Sequence, residues 1–327
     1  MQTQFLQIWS RRGCAARLGM LAAAFSLGSH AALAQPTPVT SMLQTIDAGV
    51  PGTQPTVVYK ADANFEAPNW TRDGGSLLFD QAGKIMRIPV GGGQPEALNI
   101  GAATRCNGSH GISPDGKLLA ISCNMAGLKG SHVFLVPPEG GEPKLVTSTD
   151  GAYFHSWAPD SKSLLFVHPA GASFNFYSVG IDGSNEHAVT SGTGVNDDPD
   201  YAPDGQWIYF CSDRSGTQQI WRIRPEGGGA EQITNDDRVN WTPHPSPDGS
   251  KIVYISYEKG TTGHPSNRNV ILRVMDLNTR KVRDVASLTG GGGTMNVNSW
   301  SPDSKRFAFV GYQLRPAPAP AAAAPAQ

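Results

Sequence analysis

The chain has 327 residues, with 26 Lys and Arg against 27 Asp and Glu, a formal net charge of −1 and no cluster of basic residues. This balance argues against a nucleic-acid partner, which requires a basic surface. The length is sufficient for one well-buried all-β domain even after a targeting segment is removed.

The first 34 residues predict a cleaved export signal. Arginines precede an apolar stretch at 18–34, which is short for a bilayer span and ends in the small-residue cleavage site Ala32-Leu33-Ala34. Gly13-Cys14 follows the arginine pair and favours the Sec route over twin-arginine export. We therefore expect a periplasmic protein with no stable membrane insertion.

The mature chain is predicted to be one domain with unstructured ends. Residues 35–41 form a Pro-Thr linker, residues 42–314 the folded domain and residues 315–327 a Pro/Ala tail. The domain begins with two candidate strands at 42–50 and 55–62.

A hairpin pattern then recurs six times, each copy with a tight corner of the Pro-Asp type followed by alternating apolar residues. The copies lie at 69–80, 111–122, 156–167, 200–210, 244–255 and 300–310. A second hairpin follows the first five copies, at 86–98, 133–147, 176–190, 221–234 and 272–287. Two hairpins make a four-stranded unit, and a repeat of this length is typical of propellers.

The sixth copy lacks its second hairpin, and the two N-terminal strands are available to replace it. The sequence therefore predicts an all-β fold, a six-bladed β-propeller of four-stranded antiparallel blades. Its ring is closed by residues 42–50 and 55–62, which complete the last blade.

Three cysteines remain after signal removal, Cys106, Cys123 and Cys211. Cys106 and Cys123 flank the two strands of one hairpin and could form a disulfide in an oxidising compartment. The alternative is that all three are small buried apolar residues.

Features that differ between copies are free to carry function. Antiparallel geometry places the residues before each first strand at one channel mouth, opposite the Pro-Asp corners, together with the long loop 258–269. These residues are polar and form a candidate ligand-binding set. The set is Glu66, Asn107, Tyr153, Asp197, Asp198, Asp200, Asn240, Trp241, Asn267, Asn296 and Asn298. The aspartates could instead cap loop amides, and the two aromatic residues could pack between blades.

His110, His155 and His244 lie at nearly equivalent places in three blades and form a candidate site for one divalent metal, Mn, Ca or Zn. His155 and His264, which lies on the long loop, are candidates for proton transfer. Each histidine could equally be satisfied by a backbone group.

The repeats resemble those of TolB-type β-propellers over residues 42–313. The strings RCNGSHGISPDG (105–116), DDPDYAPDG (197–205) and NWTPHPSPDG (240–249) are similar to an exported bacterial TolB-like subgroup. The TolB component of the Tol-Pal system carries an α/β domain ahead of its propeller. About 20 residues of mature chain precede the first propeller strand, too few for such a domain, so we expect a TolB-like protein other than TolB itself.

A more distant resemblance is to oligogalacturonate lyases, propellers that bind a divalent metal through histidines. It implies that metal-bound His110, His155 and His244 would neutralise a uronate carboxylate, with Arg214, Arg268 or His264 as acid or base. Two hypotheses follow. One is a binding module for an oligosaccharide, a peptide or an envelope protein, and the other is a metal-dependent enzyme that cleaves an oligosaccharide. The chain has no G-x-S-x-G motif, which argues against a serine peptidase.

Overall fold

The computed structural model describes residues 38–103 and 105–316, which form 23 strands and no helix. The predicted signal at 1–34 and most of the predicted tail lie outside the described residues. The first three blades hold β3 (Phe65–Trp70), β4 (Ser76–Gln81), β5 (Lys84–Pro89), β6 (Glu96–Ala97), β7 (Arg105–Ile112), β8 (Leu119–Asn124), β9 (Ser131–Val136), β10 (Lys144–Leu145), β11 (Tyr153–Trp157), β12 (Ser163–Ala170), β13 (Ser173–Gly180) and β14 (His187–Ala188). The others hold β15 (Asn196–Tyr201), β16 (Ile208–Ser212), β17 (Gln219–Ile223), β18 (Glu231–Gln232), β19 (Val239–Pro245), β20 (Lys251–Tyr257), β21 (Arg268–Asp276), β22 (Val282–Gly290) and β23 (Arg306–Leu314), with β1 (Val39–Asp47) and β2 (Thr56–Ala61) from the N-terminal side.

Five blades are four-stranded antiparallel meanders, and the sixth is the sheet β2-β1-β23. The first strands β3, β7, β11, β15 and β19 contact one another in sequence and surround the central channel. The predicted six-bladed propeller, including its closure by N-terminal strands, is confirmed.

The closure is a long pairing of the two ends of the domain. β1 pairs with β23 over nine residues, from Val39↔Leu314 to Asp47↔Arg306, and with β2 on its other side. β1 starts at Val39, so the strand takes in three residues of the predicted linker at 35–41. The inner strand of this blade is reduced to an isolated bridge, Trp300↔Phe307, with Ala308 N donating to Ser299 O at 2.8 Å.

The corners repeat one hydrogen-bonding pattern. In the second blade Asp115 Oδ1 accepts from Ser113 Oγ at 2.7 Å and from the Lys117 amide at 3.1 Å. The same arrangement joins Ser246 to Asp248 and Ser301 to Asp303. The Asp side chain therefore fixes the tight turn that the sequence pattern predicts.

The core lies between adjacent blades, where apolar strand faces pack with aromatic residues from the strand ends. The Trp157 indole donates to Gly111 O at 2.8 Å and the Trp300 indole to His244 O at 2.9 Å, so each also ties its blade to the preceding one. Among the described residues no helix is long and apolar enough to cross a membrane.

Cys106 and Cys123 pair across β7 and β8 and form a disulfide, while Cys211 is a buried free thiol. Cys106 and Cys123 were predicted to form either a disulfide or two small buried residues, and the structure has the disulfide. Cys211 is a small buried residue, as the other alternative predicts.

Candidate binding site in the propeller channel

Bulges in the inner strands shape the channel. Each of the five inner strands has a register shift near its middle, for example between Asp197 and Asp200 in β15 and between Trp241 and His244 in β19. Ala67, Asp198 and Thr242 have positive φ at these bulges, a conformation that non-glycine residues rarely adopt. In these five blades most of the residues predicted to precede the first strands therefore lie within them.

Asp200 is the centre of a buried polar network. Its Oδ1 accepts from Ser156 Oγ at 2.7 Å, and its Oδ2 lies 3.0 Å from His244 Nδ1 and 2.9 Å from Asn298 Nδ2. His244 Nε2 lies 2.9 Å from Met295 O. Both ring nitrogens of His244 are therefore occupied, one by the Asp200 carboxyl group and the other by the Met295 carbonyl. Neither nitrogen is free to bind a metal.

A cavity of about 280 Å³ occupies the channel. Its rim carries the corner prolines Pro114, Pro159, Pro203, Pro247 and Pro302. Asp200, His155 and His110 are among the residues that line it deeper in the channel. The cavity therefore opens on the face of the Pro-Asp corners, whereas the sequence analysis placed the functional mouth on the opposite face.

His155 lies between two adjacent carboxyl groups. Its Nε2 is 3.7 Å from Asp197 Oδ1 and its Nδ1 is 3.7 Å from Asp198 Oδ1. Burial lowers the pKa of His155 to about 4, and burial together with the charge of Asp197 raises the pKa of Asp198 to about 8. Asp198 Oδ2 accepts from the Thr242 amide at 3.2 Å, which holds the carboxyl in place. At neutral pH His155 is therefore neutral and the Asp198 carboxyl group is mostly protonated.

His110 does not join this group through any hydrogen bond. It is fully buried, neither ring nitrogen has a hydrogen-bond partner among the described residues, and burial lowers its pKa to about 4. His155 and His110 both line the cavity, but His244 has both ring nitrogens engaged in hydrogen bonds and does not fit the predicted three-histidine metal site. The atoms within metal-ligand reach of one another are instead those of His155, Asp197 and Asp198.

Glu66 and Asp80 form a second buried acid pair, opposite each other in β3 and β4. Burial, with the Asp80 charge second, raises the pKa of Glu66 to about 7, and burial raises that of Asp80 to about 6. A Cβ added at Gly108 or Gly293 would lie 2.8 or 2.7 Å from the Glu66 oxygens. Both positions also have a positive φ, which favours glycine, and the missing side chains leave the space that the Glu66 carboxyl group occupies.

Other predicted site residues are occupied in holding the blades together. Asn240 is fully buried, donates to Gln219 Oε1 at 3.0 Å and to Asp236 Oδ1 at 3.0 Å, and accepts from Ser256 Oγ. Asn107 Nδ2 donates to Ser131 Oγ at 2.9 Å. These amide groups have structural partners, which accounts for their presence near the strand starts.

The two arginines predicted as acid or base, Arg214 and Arg268, lie outside the cavity that His155 lines. Arg214 donates to Ser212 Oγ at 2.9 Å and to Asn196 Oδ1 at 2.7 Å, and its guanidinium stacks on Phe210 and Trp221. Arg268 is exposed at the start of β21. Neither lines the cavity.

The remaining predicted residues lie in the long loop 258–269, in the segment before β23 and at the start of β11. His264 packs edge-on against Trp241, with ring centroids 4.7 Å apart, and its carbonyl accepts from the Gly292 amide. Asn267 has a positive φ in the turn before β21. Asn296 Oδ1 accepts from the Gly293 amide at 2.9 Å, and Tyr153 is half-buried at the start of β11.

Comparison with known proteins identifies the fold family. The family profile described as TolB beta propeller domain matches residues 128–309. The chain belongs to the TolB β-propeller family. An uncharacterized protein of Agrobacterium fabrum is 44% identical over 257 residues, covering 78% of this chain and 87% of that protein. The TolB-like resemblance predicted from the repeats is confirmed.

Two solved structures place this TolB-like propeller among its relatives. A TolB candidate from Agrobacterium tumefaciens is 41% identical, with a TM-score of 0.80, and the match covers 84% of this chain and 99% of that one. An oligogalacturonate lyase in complex with manganese is 17% identical, with a TM-score of 0.51, covering 81% of this chain and 76% of that one. The lyase is a distant neighbour and shows only that the fold is shared.

Sequence reasoning missed most of the cavity lining of this TolB-like propeller, including Arg72 and Trp70. Arg72 stands at the corner position that is Pro114, Pro159 or Pro302 in other blades. It lines the cavity, its Nε donates to Ser113 O at 2.9 Å and its Nη2 donates to Ile112 O. Five of the six corners have Pro before Asp and only this one has Arg, a departure from the repeat that is the signal by which the sequence could have revealed it.

Proposed function

We propose that this TolB-like propeller is an exported, periplasmic binding module that holds a small group of its ligand in the channel cavity. The observation that supports this most directly is the cavity itself, about 280 Å³, with a preorganised polar floor at Asp200 and Asn298 and a rim of prolines. A rigid concave site with a few fixed polar groups is typical of a ligand pocket. The ligand is an oligosaccharide or a segment of an envelope protein or peptide.

The polar network favours binding over chemistry. Both oxygens of Asp200 and both nitrogens of His244 have hydrogen-bond partners, which orients these groups and leaves them little capacity to transfer a proton. The rim prolines restrict the backbone at the entrance, so binding costs little conformational entropy.

A cavity-blocking variant tests this function. Oligosaccharide and peptide libraries would be screened against residues 35–327 by thermal shift, and hits repeated with Pro247→Trp, which places an indole at the rim. Pro137→Trp, at an exposed residue outside the cavity, is the matched control. We expect hits to stabilise the wild type and the control but not Pro247→Trp. Hits that stabilise all three chains equally would place binding elsewhere and contradict the proposal.

A metal-dependent carbohydrate-active enzyme is the second candidate, favoured by one arrangement. His155, Asp197 and Asp198 offer three ligand atoms within 4.8 Å of one another, and nitrogen with two carboxylates suits Mn or Zn. A bound divalent ion would polarise a substrate carbonyl or carboxylate. The residues that would position it are held by the Thr242 amide and by the Asp198 amide, which donates to Asp197 Oδ1 at 2.8 Å.

Elemental analysis after incubation with Mn, Ca or Zn tests the second candidate. The expected result is about one equivalent of metal in the wild type and in His187→Ala, an exposed histidine, with loss in His155→Ala. Retention of the metal in His155→Ala, or no metal in any chain, would remove this candidate and leave the binding module.

A further inference from the structure

We infer that the wall of the cavity formed by Trp70, Arg72 and His110 is a carboxylate-binding subsite. The inference rests on the proposed binding function and gives the chemical class of the group that the cavity holds. It comes from hydrogen-bond donors on the first two blades that have no acceptor within the part of the chain the structure describes.

Trp70 differs from its counterparts in other blades. Trp70, Trp157 and Trp300 occupy the same place before their corners, and all three line the cavity. The indoles of Trp157 and Trp300 donate to carbonyls of the preceding blade at 2.8 and 2.9 Å. The Trp70 indole N–H is buried in a residue only 3% exposed and has no such partner. A buried donor without an acceptor is costly, so a ligand acceptor would satisfy it.

Arg72 supplies positive charge beside Trp70. Two of its nitrogens donate to the carbonyls of Ser113 and Ile112, which fixes the guanidinium at the cavity wall and leaves Nη1 without a hydrogen bond. None of the ion pairs among the described residues includes Arg72. A guanidinium fixed in this way is suited to a carboxylate.

His110 adds a third donor. It is fully buried and lines the cavity, and burial lowers its pKa to about 4, so it is neutral and one ring nitrogen carries a hydrogen. The backbone of Leu78 and Gly108 lies near the ring and raises this pKa in part, but neither nitrogen forms a well-aligned hydrogen bond.

The Asp200 carboxyl group shares the cavity and, with Asp115, lies near enough to Arg72 to act on its charge, but both Asp200 oxygens are already engaged by Ser156, His244 and Asn298. Arg306 lies over the Trp70 ring at 5.0 Å and adds positive charge behind it. This wall therefore favours an anionic acceptor.

The size of the cavity limits the ligand. At about 280 Å³ it holds a group such as one sugar acid or the end of a peptide, not a folded partner. These two sources share the carboxylate, and the experiment separates them.

The test follows the indole N–H resonances of the ¹⁵N-labelled chain 35–327 during titration with acetate, with acetamide as the uncharged counterpart. We expect the Trp70 resonance, assigned with Trp70→Phe, to move with acetate and not with acetamide. The Trp221 indole is the internal control, since it also lacks an acceptor but lies outside the cavity. No movement of Trp70 up to about 100 mM acetate, or equal movement with acetamide, overturns the subsite.

Substitutions at Arg72 test whether its positive charge is responsible for acetate binding. Arg72→Gln is expected to weaken acetate binding about tenfold or more, and Arg72→Lys less, while Arg87→Gln on the third strand of the same blade leaves it unchanged. Unchanged acetate affinity in Arg72→Gln overturns the assignment.

Two matched pairs identify the source of the carboxylate, glucuronate with glucuronamide and Ala-Ala with Ala-Ala-amide. A preference of about tenfold for the acid in either pair supports the subsite and names its source. Acids and amides that bind equally well overturn the carboxylate inference and leave the binding function intact. The binding function fails separately, in the Pro247→Trp comparison.

Discussion

Asp200 and His244 show how one buried hydrogen-bonded pair can organise a channel. Asp200→Asn keeps the shape of the side chain but replaces one of its two oxygens, both of which have buried hydrogen-bond partners, with an amide nitrogen. We expect a loss of about 1–3 kcal/mol in the free energy of unfolding, because a buried group is left without its partner. Urea denaturation measures this. The double variant Asp200→Asn, His244→Gln should recover part of the loss, and additive losses would contradict the coupling.

Glu66 makes stability depend on pH. Its pKa in the folded protein is raised to about 7, above the unfolded value of about 4.3, so the folded state binds more protons between these values. Stability therefore falls as pH rises from about 4.5 to 7, and the full cost remains at higher pH. Glu66→Gln should be more stable than the wild type by about 1–3 kcal/mol at pH 8 and similar to it at pH 4.5.

Thermal unfolding of Glu66→Gln at the two pH values is the measurement for this second residue-scale prediction. Glu96→Gln, at an exposed residue of the same blade, is the control and should show no pH-dependent difference from the wild type. A gain for Glu66→Gln that is the same at pH 4.5 and pH 8 would assign it to packing and contradict the titration argument.

At the residue scale, the sequence predicts which strands supply the channel side chains but not how these side chains pair. Asp200, His155 and His110 all line the cavity. Their partners depend on the bulges, where one or two extra residues turn a side chain out of register, and no local pattern encodes that shift. The role of Asn240 is also not visible in the sequence, because its hydrogen-bond partner Gln219 lies in the preceding blade.

At the scale of elements, the disulfide links two neighbouring strands of the second blade. Cys106 and Cys123 are 17 residues apart in sequence, and closing a loop of this length in the unfolded chain is worth about 3 kcal/mol in the entropy model. The double variant Cys106→Ala, Cys123→Ala should lose roughly that much stability, measured by urea denaturation under non-reducing conditions.

Dithiothreitol provides the control for the disulfide. It should reduce the stability of the wild type to that of the double variant and leave the variant unchanged, since Cys211 is a lone thiol. Equal stability of the wild type and the variant without reductant would show that the bond is not formed in the folded protein.

The strands themselves were predictable because each carries its own signal. Corner turns fixed by Asp side chains and alternating apolar residues mark the first two strands of every blade. The outer strands are less visible: four of them are two residues long, while β22 extends over nine. The inner strand of the sixth blade has one bridge. In this segment Asn296 and Asn298 form side-chain hydrogen bonds with Gly293 and Asp200 instead.

At the scale of the whole molecule, the ring holds the channel site together. Asn69 Nδ2 donates to Asn298 O at 2.8 Å, which joins the first and last blades inside the channel. Asn298 in turn donates to Asp200 in the fourth blade, two blades away. The site is therefore complete only when the ring is closed, and closure depends on β1, which lies between β2 and β23.

Removing β1 should open the ring. A chain that begins at Pro51 lacks the nine-residue partner of β23 and the neighbour of β2, so the sixth blade loses its sheet. Several kcal/mol are lost, and we expect the midpoint of thermal unfolding to fall by about 10 °C or more. A synthetic peptide of residues 38–48 should restore the midpoint by pairing with β23, whereas the same peptide with Leu43→Lys should not, because Leu43 is fully buried. A truncated chain that melts at the wild-type temperature, or rescue by both peptides, would mean that the ring holds without this strand.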